Sequence, residues 1–331
     1  MNQRVAVMLL ALFFLFALVP LAESANTPTE LIPIISGSPV QAIAVAPNTN
    51  IYAGTFGSGI FRSVDNGETW ADRNAELTDK DVFALVTNSH GTIFAGTFGG
   101  GVYRSSDDAA HWVQVNNGLG CTEIISLEAG HDGCLYAGTS NDGVYFSLND
   151  GDSWTHSGLR DTYVSTIAAN SNGDVFAGTS HGIYRSVDGR STWTLENTGL
   201  TCKDVWAIAV HPAGDLFAAT NGGGVYRSAD NGTTWSQANT GLTSKNVGSL
   251  AICHSGDIFA GTTRGVSRST DNGVSWVNVE GDLPIEAVRC LTVNGDGQIV
   301  AGTIKGGVFR SKSLAPIPEN PGENLSASEQ H

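Results

Sequence analysis

The sequence predicts an all-β fold: a seven-bladed β-propeller of four-stranded antiparallel blades. Three observations predict it. Tryptophans at 70, 112, 154, 193, 235 and 276 recur at intervals of 42, 42, 39, 42 and 41 residues, a constancy that makes the interval one supersecondary unit. Within each unit lie four short apolar runs separated by turn residues, with no helical period, as in an antiparallel sheet. A lone sheet of this size cannot bury both faces, whereas sheets set radially cover one another.

In the copy from Val205 to Asn246, the expected strands are Val205 to Val210, Asp215 to Ala219, Gly224 to Ser228 and Thr234 to Ala238. Corresponding first strands begin at Val40, Val82, Ile124, Val164, Val205, Val247 and Val288, which fixes the blade count at seven. First and second strands join through dipeptides ending in glycine, such as His90-Gly91 and Asp132-Gly133, that suit tight hairpins. The seventh unit stops at "GGVFRSKSLAP", after its third strand and without a tryptophan. Leu31 stands six residues before Gly37 as Trp235 does before Gly241, so the N-terminal stretch is expected to complete blade seven and close the ring.

The ends divide the chain into three parts. Residues 1–25 place Arg4 before an apolar run from Val5 to Val19 and then Ala22 and Ser24, the pattern of a signal peptide, with an uncleaved anchor as the alternative. Residues 26–311 form the propeller, and residues 312–331, rich in Pro, Glu, Asn and Ser, read as a disordered tail. The protein is therefore expected to be secreted or periplasmic, with no membrane insertion beyond that anchor. In the 331-residue chain, 17 Lys and Arg against 32 Asp and Glu give a net charge of -15, which opposes nucleic-acid binding. Five scattered cysteines form neither a disulfide framework nor a CxxC metal motif, so no metal and no cofactor are expected, and nothing points beyond a monomer.

The stretches "SVDNGETW" at Ser63, "SADNGTTW" at Ser228 and "STDNGVSW" at Ser269 share the pattern S-x-D-x-G-x-x-W. The aspartate can accept N–H groups of its own turn, the glycine supplies positive φ and the tryptophan wedges between sheets. Six positions take the aspartate's place: Asp65, Asp107, Asn149, Asp188, Asp230 and Asp271. Ala109 and Arg190 stand where the glycine is expected in two copies. Such degeneracy, repeated six times, marks a structural turn rather than a catalytic one.

These motifs resemble Asp-box, or BNR, repeats of the sialidase-like propeller superfamily, and the resemblance covers nearly all of residues 31 to 311. It implies the propeller fold and, as one option, glycoside hydrolysis. Departures oppose that activity: no F/Y-R-I-P motif and no arginine triad outside the repeats occur. Arg62, Arg104, Arg185, Arg227, Arg268 and Arg310 share one repeat position, so they are expected on different blades as surface or inter-blade partners.

Residues that break the repeat are the candidates for function. The third position of the first strands is small throughout, whereas the second runs Gln41, Phe83, Ile125, Ser165, Trp206, Gly248 and Arg289. Gln41, Phe83, Trp206 and Arg289 follow the inter-blade loops and suit an aromatic and polar mouth for a sugar or a peptide. Glu128, the one acid inside a first strand, is the remaining ligand-binding candidate. The expected function is an exported, non-catalytic propeller binding a glycan or protein ligand on the inter-blade-loop face. Two alternatives stand beside it. One is a glycoside hydrolase of sialidase or xyloglucanase type, with Glu128 and Asp81 or Asp161 as its carboxylates. The other is an assembly or maturation factor, since the repeat also resembles photosystem II assembly propellers.

Overall fold

The computed structural model describes residues 38–279, 283 and 286–311. The expected signal segment, the strand-completing stretch before residue 38 and the C-terminal tail lie outside the described residues. Seven sheets stand in chain order, each with its strands hydrogen-bonded in sequence from the innermost outward. Among the described residues six have four strands and the seventh has three. The protein is a seven-bladed propeller, and every innermost strand starts where the repeat places it, from Val40–Val45 to Val288–Val293.

One difference concerns the outermost strands. The repeat predicts five residues from Thr234, but the strand is Ser236–Gln237, and its counterparts in other blades are equally short. The preceding turn explains this, because the Thr234 N–H is already spent on Asp230 Oδ1 at 2.9 Å.

Blades meet through a repeated close approach. Each second strand is fully buried and carries Ala-Gly-Thr or a near variant. A Cβ placed on Gly96 would lie 2.5 Å from Ile124 Cγ2 of the next blade. Gly302 stands in the same relation to Val40 Cγ1, at 2.6 Å, so blade seven packs on blade one. Val40, Ile51, Ala53, Cys290, Val300 and Val308 form the buried cluster at that seam.

All five cysteines are free thiols, and only Cys202 keeps appreciable exposure. No helix among the described residues is long and apolar enough to cross a membrane.

Candidate functional site

Antiparallel topology puts the hairpins between first and second strands, together with the S-x-D-x-G-x-x-W turns, at one end of every blade. Strand starts, inter-blade loops and the loops between second and third strands lie at the other end.

At the turn end the hydrogen bonds are local. Ser63 Oγ donates to Asp65 Oδ1 at 2.7 Å and accepts the Gly67 N–H at 2.7 Å, while Asp65 Oδ1 also accepts the Thr69 N–H at 2.8 Å. Burial pushes Asp65 up, but the bonds from Thr69 and Ser63 outweigh it and hold the carboxyl at about 2. Asn149 makes the same pattern without a charge, accepting from Ser147 Oγ and the Ser153 N–H at 2.9 Å each. Gly67 has φ 91°, whereas Ala109 is forced to φ 62° at the corresponding place. In blade four the left-handed residue is Gly189, and the displaced Arg190 reaches back to Asp132 of blade three at 2.8 Å.

Five of the tryptophans tie their turn to the preceding blade, while Trp70 donates to Gly67 O of its own turn at 3.1 Å. The Trp112 indole donates to Arg73 O at 2.8 Å, Trp154 to Val115 O at 2.8 Å and Trp276 to Ala238 O at 2.8 Å. The repeated arginines are spent in the same seams. Arg62 pairs with Asp108 and Arg104 with Asp152 of the following blade, while Arg227 holds Asp215 of its own. None of these groups is free to meet a ligand as a cluster.

At the other end every blade carries a β-bulge. Register shifts occur between Val40 and Ala42, Val82 and Ala84, Val164 and Thr166, Val205 and Ala207, Val247 and Ser249, and Val288 and Cys290. In blade three the shift between Gly138 and Thr139 leaves out Ile125 in the same way. The bulged residues are therefore Gln41, Phe83, Ile125, Ser165, Trp206, Gly248 and Arg289. A bulged residue leaves the ladder and its side chain is re-aimed. This accounts for much of their variety, although Ile125 stays buried and Ser165 Oγ donates to Gly178 O at 2.8 Å.

Three of the sequence candidates converge. Arg289 Nε donates to Gln41 Oε1 at 2.9 Å, and the Arg289 guanidinium lies 5.9 Å from the centre of the Trp206 ring. Trp206 is on blade five and Arg289 on blade seven, and blade six between them presents Gly248. Contact across an intervening blade places the group at the axis. Gln41, Trp206 and Arg289 are all half-buried.

Phe83 belongs to an adjoining aromatic shelf. It meets Phe56 edge-on at 6.1 Å and Phe98 at 5.2 Å, and Phe56 stays 41% exposed. Glu128 is not part of this mouth. It is the fifth residue of its strand, and its Oε1 accepts the Ala169 N–H of blade four at 3.3 Å. Half-buried between two blades near the turn end, its carboxyl is pushed up by burial, to about 7. Beside that seam a cavity of about 330 Å³ is lined by residues including His131, Asp132, Tyr136 and Asn172.

Tyr163 is a mouth residue that sequence reasoning missed. Burial pushes its hydroxyl up, with Arg289 lowering and Asp204 raising it, which puts Tyr163 within the field of both. The signal was available: Pro39, Asp81, Glu123, Tyr163, Asp204, Asn246 and Ala287 precede the first strands, and only one is aromatic.

Comparison with known proteins agrees with the architecture. The family model of the DUF6242 beta propeller domain matches residues 160–308. The extracellular domain assigned to a one-component system of B. thetaiotaomicron superposes with a TM-score of 0.71 at 16% identity, over 85% of this chain and 39% of that one. The chain thus spans well under half of that relative. YCF48 bound to D1 peptide aligns at a TM-score of 0.72 and 17% identity, over 89% of this chain and 99% of that one. The GH74 enzyme of Niastella koreensis aligns at 0.67 and 18%, over 85% and 44% of the two chains. At such identities the likeness shows the fold. No curated protein matches the sequence significantly.

Proposed function

We propose that the protein is an exported, non-enzymatic docking propeller that holds a ligand at the axial mouth built from its bulged residues. The carrying observation is the convergence of Gln41, Trp206 and Arg289 from three blades, with the Phe56, Phe83 and Phe98 shelf adjoining. An aromatic surface holding one oriented cation suits capture of a protein segment. A glycan is the competing ligand. The neighbours support a docking role in an exported setting, since one is seen with a bound peptide and others are extracellular domains. In this reading the S-x-D-x-G-x-x-W turns are Asp boxes serving as scaffold.

Glycoside hydrolysis is less well supported. Its two carboxylates must stand within about 5–9.5 Å of each other. Asp81 precedes its strand and Glu128 is fifth along the neighbouring one, so about 16 Å of strand separates their levels.

The test exposes residues 26–331 to immobilised peptides and glycans and reads retained protein and released product together. Retention without turnover, lost in a Trp206→Ala/Arg289→Ala double variant, is the expected result. Release of reducing sugar would overturn the docking reading, as would retention that ignores the double variant.

A further inference from the structure

The unusual feature of the mouth is the charge state of Arg289. In a chain with net charge -15, the arginines of the repeat are matched by acids, as Arg62 is by Asp108, Arg104 by Asp152, Arg185 by Asp174, Arg227 by Asp215 and Arg268 by Asp257. Arg289 is half-buried at the axis and has no carboxylate partner among the described residues. Its one hydrogen bond there is Nε to Gln41 Oε1 at 2.9 Å. That bond fixes the plane of the guanidinium and leaves both terminal NH2 groups unspent. Trp206 holds the group in place without neutralising it. A cation taken partly out of water without a counter-ion is costly, and a planar fork with two parallel donors is matched by a carboxylate.

We infer that Arg289, anchored by Gln41 and Trp206, is the receptor for the free C-terminal carboxylate of a bound peptide, whose preceding apolar side chains lie on the Phe56, Phe83 and Phe98 shelf. This rests on the mouth being the ligand site and specifies its ligand. Two observations favour a peptide terminus over an acidic glycan. The indole that a sugar ring would stack on shares its face with the Arg289 guanidinium at 5.9 Å. The net charge of -15 repels a polyanion far more than a single terminal charge, and a neighbouring apolar shelf suits amino-acid side chains. Gly248, the bulged residue of blade six, adds no side chain between Trp206 and Arg289, and a Cβ there would crowd Val288 O of blade seven at 3.1 Å.

The probe is an array of octapeptides with varied apolar residues in the last four positions, each made with a free C-terminus and again as the C-terminal amide. Arrayed uronic-acid and sialic-acid glycans accompany them. Wild-type protein should bind a subset of free-acid peptides and lose about tenfold to a hundredfold in affinity for the matching amides. Arg289→Gln should bring free-acid affinity down to that of the amides, and Arg289→Lys should fall between. Thermal unfolding of both variants, matched to wild type, separates this from misfolding. Equal binding of acid and amide through a Trp206-dependent site would overturn the carboxylate receptor while leaving the mouth as the ligand site. Arg289-dependent binding of acidic glycans in place of peptides would overturn the choice of ligand. Peptide binding indifferent to both Trp206 and Arg289 would overturn the mouth itself.

Discussion

The two ends of the blades are built from the same repeat and treat it in opposite ways. At the turn end, Ser63, Asp65, Gly67 and Trp70 and their counterparts recur because each hydrogen bond is returned within the turn or to the blade before. At the mouth end, the bulge takes one residue per blade out of the ladder, and Gln41, Phe83, Ile125, Ser165, Trp206, Gly248 and Arg289 share neither size nor charge. Repetition in a propeller therefore marks where the fold satisfies itself. Variation at a fixed backbone position marks where the fold makes no demand and a ligand can.

The comparison breaks most visibly at two tryptophans. Trp112, 2% exposed and bonded to Arg73 O, belongs to the scaffold, and Trp112→Ala should cost about 3–5 kcal/mol in chemical denaturation. Trp206→Ala, at a half-buried bulge, should cost under about 1 kcal/mol by the same measurement and abolish ligand retention. Equal losses would erase the distinction between the two ends.

Within the turn, the buried hydroxyl should matter more than the charge. Ser228 is 1% exposed and accepts the Gly232 N–H at 2.8 Å, so Ser228→Ala orphans a buried donor at a cost of about 1–3 kcal/mol. Asp230→Asn should lower the unfolding midpoint at pH 7 by less than Ser228→Ala does: bonds from Thr234 and Ser228 hold the Asp230 carboxyl below its ordinary range, but Asn149 fills the same role without a charge in blade three.

Glu128 sharpens the contrast through pH. Its folded-state pKa, about 7, lies above its ordinary value, so the folded protein binds the proton more tightly than the unfolded chain. Its contribution favours folding at low pH and is lost as pH rises through about 7. Glu128→Gln should flatten that part of the stability profile and stabilise the protein at pH 8 by roughly 1–2 kcal/mol, less than the shift alone implies because the side chain keeps solvent contact. Ala109→Gly should shift stability by under about 1 kcal/mol, since φ 62° suits glycine and strains alanine while a fully buried methyl is lost.

Much of the scaffold was legible in the residues. The tryptophan interval gave the unit, and the first-strand starts gave seven blades at the observed positions. The seam between blades seven and one was legible only in part, because the Gly302 to Val40 approach is a contact between distant segments. The mouth was legible as variability and not as geometry. A bulge is an event in the backbone pairing, and no residue type at the second position announces it. Glu128 stands fifth along its strand where the mouth residues stand second, about 10 Å nearer the turn end, so strand position alone already set it apart. Tyr163 precedes its strand, outside the second position whose variation marks the other candidates.

The central claim is that binding and stability reside at opposite ends of the blades. Its most direct test measures, on one preparation of the Trp206→Ala/Arg289→Ala variant, both ligand retention on the peptide array and the denaturation midpoint. The account predicts retention lost with stability within about 1 kcal/mol of wild type. Retention preserved, or a stability loss as large as that of Trp112→Ala, would contradict it.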